Sequence, residues 1–144
     1  MIDCHHFVLL LKFDSSPVKK DLTDYKFFCF NGEPKLCQVI SNRSTNETID
    51  FYDMDWNRQV GLVGLNDRIY NSKAEQKCPN SYEKMKLFAQ MISKGKKFSR
   101  IDFYDINGNC YFGEITFYPN SGYGSFRPHE WNNIIGSWID LNLL

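Results

Sequence analysis

The sequence has no net charge. Its 17 basic residues balance 17 acidic ones, so it carries no global bias toward nucleic acid or an anionic membrane. It has no long apolar run. The strongest near the start, "FVLLL" at Phe7–Leu11, is too short to span a bilayer and lacks the basic flank of a signal peptide. Its 5 cysteines, Cys4, Cys29, Cys37, Cys78 and Cys110, are odd in number and include no Cys-x-x-Cys pair. That argues against a disulfide framework and a structural zinc site. Cys29 and Cys37 fall on predicted strands and read as reduced thiols, which points to the cytoplasm. The sequons at Asn42 and Asn46 carry no weight without a secretory signal. Internal repeats and low-complexity segments are absent, and no Ser-His-Asp or Cys-His arrangement is identifiable.

Histidine is scarce, with 3 in the chain. His5 and His6 are neighbours on a predicted strand and so point to opposite faces, which defines one metal site poorly. His129 lies near the start of a predicted helix and reads as structural or exposed. What the chain does have is aromatic side chains, 16% of its 144 residues. Length and apolar content suffice for a single domain over 1–144 with its own core.

Strand and helix signals alternate. "HHFVLLLKF" reads as a first strand. Asp24–Phe30 and Lys35–Ser41 read as a hairpin turning at Asn31-Gly32. "IDFYDMDW" is a short strand or a turn. Residues 57–79 show no period and include the Gly-containing "VGLVGLND", so an irregular loop is expected. "NSYEKMKLFAQMISKG" is the clearest helix. Asn80 is the expected N-cap, with Glu83 as in a capping box, and Gly95 as the stop. Tyr82, Met85, Phe88, Ala89 and Ile92 follow the helical period and read as a face packed on a sheet. A last short helix is expected from about Pro128. The pattern is α+β: an antiparallel sheet with helices on one face.

The stretch "RIDFYDINGNCYFGEITFYPNSG", Arg100–Gly122, places an arginine, two carboxylates and a threonine among aromatics on one hairpin. Register decides which of them meet. A two-residue loop at Asn107-Gly108 would set Asp102 opposite Gly113, and Asp102 and Glu114 would face opposite sides. A three-residue loop, Ile106-Asn107-Gly108, sets Asp102 opposite Phe112 and Arg100 opposite Glu114. Arg100, Asp102, Glu114 and Thr116 then share one face, and Ile101, Phe103, Tyr111, Ile115 and Phe117 the other. The second register is the expectation. Carboxylates and a hydroxyl are hard ligands that suit magnesium, which is usually bound through one or two carboxylates plus substrate phosphates. The planar fork of Arg100 suits phosphate. A plain cross-strand pair of Arg100 with Glu114 is the alternative.

These residues resemble the C-terminal signature of ATP-grasp enzymes: an Arg-x-Asp strand, a turn, and a strand ending in Glu-x-Asn or a variant, followed by proline and glycine. The closer resemblance is to the teichuronopeptide-biosynthesis, TupA-like branch, through "DYKFFCFNGEPK", "FYDMDW", "YFGEITFYPNSGYG" and "RPHEW". It covers roughly Asp24 to Ile139. The resemblance implies the C-terminal subdomain of an ATP-grasp fold. It implies ATP and Mg2+ as cofactors and ATP-dependent joining of a carboxylate to an amine through an acyl phosphate, in assembly of a cell-surface polymer. It makes Asp102 and Glu114 metal ligands, Thr116 a stand-in for the usual asparagine ligand, and Arg100 the group that stabilises the transferring phosphoryl.

Lys26 has two readings, a phosphate contact or a solvated strand lysine. Arg43 likewise reads as a phosphate or substrate contact, or as a surface arginine in a polar loop. The phosphate-binding lysine and glycine-rich loop of the other ATP-grasp jaw are not found before Asp24. The expectation is therefore a metal-binding half, completed by a separate chain or left as a non-catalytic binding module or relic.

Overall fold

The computed structural model describes residues 21–65 and 68–142. The expected first strand, with Cys4, His5 and His6, lies outside them. The sheet begins with β1 (Asp24–Phe30) and β2 (Glu33–Ser41). They are joined through Asn31 and Gly32, both at positive φ (50° and 83°), the backbone that a tight two-residue hairpin requires. β3 (Thr48–Tyr52) continues from β2. β5 (Phe98–Ile106) and β6 (Asn109–Thr116) form the second hairpin. β5 pairs with β1, giving the antiparallel order β3-β2-β1-β5-β6. Between the hairpins run β4 (Val63–Gly64) and α1 (Tyr82–Ser93). After them come β7 (Phe126–Arg127), which pairs with β4, and α2 (Glu130–Gly136). The class is α+β, as expected. The described residues among 57–79 form the expected irregular connection, which carries β4 and a single bridge from Arg58 to Tyr52.

Alternation along the strands sends odd and even residues of β1 to opposite faces. Tyr25, Phe27 and Cys29 join Cys37, Val39, Tyr52, Ile101 and Phe103 under the Tyr82, Met85 and Ala89 stripe of α1. Phe28, Phe30, Leu36, Ile40, Ile49 and Phe51 face the other way. There Leu62, Phe126 and Ile135 of α2 cover them. The helices thus lie on both faces rather than on one. The reason is the aromatic content of that second face: Phe28, Phe30 and Phe51 would otherwise leave it apolar and exposed, and Phe126 and Trp138 pack edge-on against them.

The helix stripe expected from the 3.6-residue period is the buried one, with Tyr82, Met85 and Ala89 almost inaccessible. The cap differs. The N-cap is Ser81, not Asn80, and its side chain makes no cap bond to the helix. Instead Asp105 of β5 accepts from the Ser81 backbone N–H (3.0 Å) and its hydroxyl (2.7 Å). A residue distant in sequence therefore anchors the start of α1. The helix ends before Gly95, at φ 74°, the left-handed stop that glycine favours. Among the described residues, no helix is long and apolar enough to cross a membrane.

Candidate functional site

The site is built where β1, β5 and β6 lie side by side. The hairpin register differs from the expected one. Ile106 pairs with Asn109 and Phe103 with Phe112, so the loop is the two-residue Asn107-Gly108. Both residues have positive φ, 55° and 81°. Further along, Ile101 pairs with Ile115 and Arg100 with Thr116, and the register shifts by one between Ile101 and Phe103. Gly113 and Glu114 together therefore oppose Asp102 alone, which is a β-bulge. The extra residue absorbs the half-turn that a plain two-residue hairpin would impose. Phe112 faces the α1 side, with its ring centroid 6.3 Å from that of Phe103. Glu114 and Thr116 are returned to the face of Asp102. The expected polar quartet is thus assembled, by a bulge rather than by a longer loop. Tyr111 pairs with Tyr104 and does not join the apolar set, and Ile115 and Phe117 remain 39% and 48% exposed.

The quartet is tied together by Arg100. Its Nε and Nη2 donate to Oδ1 and Oδ2 of Asp102 at 2.7 and 2.8 Å. Nη2 also lies 2.8 Å from Glu114 Oε1 and 2.9 Å from Thr116 Oγ1. The Thr116 hydroxyl donates to Glu114 Oε1 at 3.3 Å. Lys26, directly opposite Asp102 in the β1–β5 register, forms an ion pair with its Oδ2. Lys26 is buried, so the solvated reading of this lysine is wrong. Two cations and two carboxylates make the cluster neutral, which is how charges are tolerated away from water.

The same face continues toward β2. Gln38 stands opposite Lys26. A cavity of about 160 Å³ opens over these strands, bounded by Lys26, Gln38, Arg100, Glu47, Gly64, Leu65 and Asn120, with Ile40, Ile49 and Ile69. Asn120 closes one side by donating to the Leu65 carbonyl at 2.7 Å. Arg43 lies beyond the quartet, ion-paired with buried Asp24 and 3.8 Å from Glu47. Asp24 stands opposite Tyr104. Burial first, and then the negative charge of Asp24, push the Tyr104 hydroxyl up to about 12. Gln38, Asn120 and the Gly64–Leu65 wall were missed by the sequence reading. The signal for Gln38 was present, as a polar residue at an alternating position within a buried strand. His129 is exposed just ahead of α2. Cys29, Cys37, Cys78 and Cys110 are free thiols.

The sequence profile of the TupA-like ATP-grasp family matches residues 4–140. The chain belongs to that family. The match begins at residue 4, upstream of the Asp24 start suggested by the separate stretches. No curated protein and no solved structure matches the chain significantly.

ATP-grasp proteins generally use ATP with magnesium, so the donor set bears testing against that ion. Among the described residues, no group of three or more His, Cys, Asp or Glu side chains stands ready to hold a metal. Asp102, Glu114 and Thr116 provide oxygen donors alone, and the Glu114 side chain is 61% exposed. That set fits magnesium when phosphate oxygens complete the shell, the usual mode for this ion. It does not fit a self-sufficient protein site.

Proposed function

We propose that the chain is the metal- and phosphate-binding half of an ATP-grasp ligase. It joins a carboxylate to an amine through an acyl phosphate, in the assembly of a cell-surface polysaccharide or peptide polymer. The observation that carries this reading is the convergence of Asp102, Glu114 and Thr116 on one guanidinium nitrogen of Arg100, beside buried Lys26. A buried carboxylate flanked by two cations is costly to build for stability alone. It suits a site where phosphate and metal exchange partners.

In the proposed reaction, a substrate carboxylate oxygen attacks the γ-phosphorus of ATP and ADP leaves. The amine then attacks the acyl carbon, phosphate leaves, and the amine loses a proton. Asp102 and Glu114, with Thr116, would hold Mg2+, which neutralises charge on the phosphates when bound. Arg100 binds the transferring phosphoryl oxygens through its planar fork and stabilises the charge that spreads over them. Lys26 fixes the orientation of Asp102 and adds positive charge at the floor of the cavity. The residues of 1–144 act as one unit in this reading, and the opposite wall of the nucleotide cleft comes from protein outside the described residues. A cytoplasmic setting accords with ATP and with the free thiols.

Titration calorimetry of the protein with ATP, with and without magnesium, tests the proposal. Metal-dependent binding is expected, and Glu114→Gln should abolish it without unfolding the chain. Absence of binding by a well-folded wild type would favour a non-catalytic interaction module. Unchanged binding in Glu114→Gln would remove Glu114 from the metal site.

A further inference from the structure

Arg100 Nη2 stands within 2.9 Å of three oxygens, on Asp102, Glu114 and Thr116. These are the oxygens proposed above to hold magnesium. A guanidinium Nη carries only two protons, so three close acceptors exceed its hydrogen-bonding capacity. The arrangement is that of a cation among its ligands. The lone pair that Thr116 offers to Nη2 is the one a metal would take, because its proton is directed to Glu114 Oε1. Lys26 meanwhile holds Asp102 Oδ2 from the neighbouring strand. A bare divalent ion approaching this cluster meets two cations and carboxylates that are already neutralised.

We infer that Arg100 is a resident surrogate for the metal. It closes the oxygen site in the nucleotide-free protein and yields it only when a phosphate group draws the guanidinium away. This inference rests on the magnesium–nucleotide reading of the same site. The exchange is favourable because a polyphosphate offers the guanidinium bidentate oxygens and brings the negative charge that balances an entering dication. Both carboxylate oxygens of Asp102, Glu114 Oε1 and Thr116 Oγ1 are then released from the guanidinium together, while Asp102 Oδ2 keeps its ion pair with Lys26. The guanidinium has an outlet on the side of Glu114, which is 61% exposed, whereas Asp102 behind it is 3% exposed. Arg100 thereby couples the two ligands: metal binds with phosphate or hardly at all.

The experiment uses Mn2+, whose oxygen preference is that of magnesium and whose free form is counted by electron paramagnetic resonance. Arg100→Gln should bind Mn2+ without nucleotide about tenfold more tightly than wild type, the size of an ordinary coupling between sites. A second change, Glu114→Gln, in that background should remove the gain. Equal affinity in wild type and a folded Arg100→Gln, judged by circular dichroism, overturns the inference. A measurement on wild type guards against a variant that does not fold. The Arg100 side-chain Nε–H resonance should move when inorganic tripolyphosphate and Mg2+ are added together, and stay in place with Mg2+ alone. A resonance that does not move while tripolyphosphate binds overturns the inference as well. Failure of the underlying functional reading shows differently, as no magnesium–nucleotide binding by wild type whatever Arg100→Gln does with bare metal.

Discussion

Lys26 on β1 and Asp102 on β5 face each other directly across an antiparallel pair, and both are buried, at 8% and 2% exposure. The two partners are not equivalent. Asp102 keeps a two-pronged bond to Arg100 if Lys26 is removed. Lys26 has no comparable second carboxylate in its register position. Removing one member of a buried pair is costly mainly through the charge left behind. Asp102→Ala should therefore destabilise the fold by about 3–5 kcal/mol, and Lys26→Met by only about 1–2 kcal/mol. Urea unfolding of the two variants checks the order, and equal losses would contradict it.

Gly113 sits in the bulge that brings Glu114 to the face of Asp102. A Cβ built there would lie 3.1 Å from the Asp102 carbonyl oxygen and 3.1 Å from the Tyr104 ring. The ring can shift, but the carbonyl belongs to the β5 backbone. Gly113→Ala should cost about 1–2 kcal/mol. It should also weaken magnesium–nucleotide binding, because relief of the clash displaces the strand that aims Glu114. Calorimetry and thermal unfolding measured on the same variant would show both effects.

The contrast between what was legible and what was not follows from range. The polar and apolar alternation of "RIDFYDI", the Asn31-Gly32 turn and the stripe of α1 are local, and the structure has all of them. The bulge was not legible, because a single glycine in a strand does not announce which register it breaks. Burial of Lys26 was not legible either, since its partner is 76 positions away and a strand lysine alone looks solvated. Nor was the second covered face. The phenylalanines at even positions of β1 gave the signal, but helices were expected on one face of the sheet alone. The polar quartet was found through a wrong loop, because the register that best separates apolar from polar side chains puts it on one face, and the bulge achieves the same.

Asp105 links the second hairpin to the start of α1. Besides Ser81, it accepts from the Gly108 backbone N–H at 2.8 Å. Partial burial pushes its pKa up, but the hydrogen bonds from Ser81 and Gly108 outweigh that, and the carboxyl is held below the usual value of 3.8. A carboxyl depressed in the folded state stabilises the fold fully above its unfolded value. That contribution fades as pH falls through the folded one. Asp105→Asn should accordingly be less stable than wild type by a constant margin above about pH 5, and the margin should shrink below about pH 4. Thermal unfolding at a series of pH values measures it. A margin that grows on acidification would refute the assignment.

The wall of the cavity depends on a second buried charge. Asp50 is wholly buried on β3, and its Oδ1 receives Arg58 Nη2 at 2.7 Å and the Ser72 backbone N–H at 3.1 Å. The loop carrying Gly64, Leu65 and Ile69 is thus fastened by Arg58 before it and Ser72 after it. Asn71 adds bonds to the Ile49 and Leu62 carbonyls at 2.9 and 3.0 Å. Arg58→Ala leaves the buried Asp50 carboxylate without its ion-pair partner, at a cost of about 3–5 kcal/mol. Where the fold survives, for instance in osmolyte, hydrogen exchange should accelerate across residues 58–72 well before it does in β1 or β5. Asp50→Asn combined with Arg58→Met removes both charges and should recover much of the loss, since a matched apolar replacement of a buried pair is often close to neutral. Recovery of stability without recovery of exchange protection would show that the pair holds the loop in place over the cavity rather than the sheet beneath it.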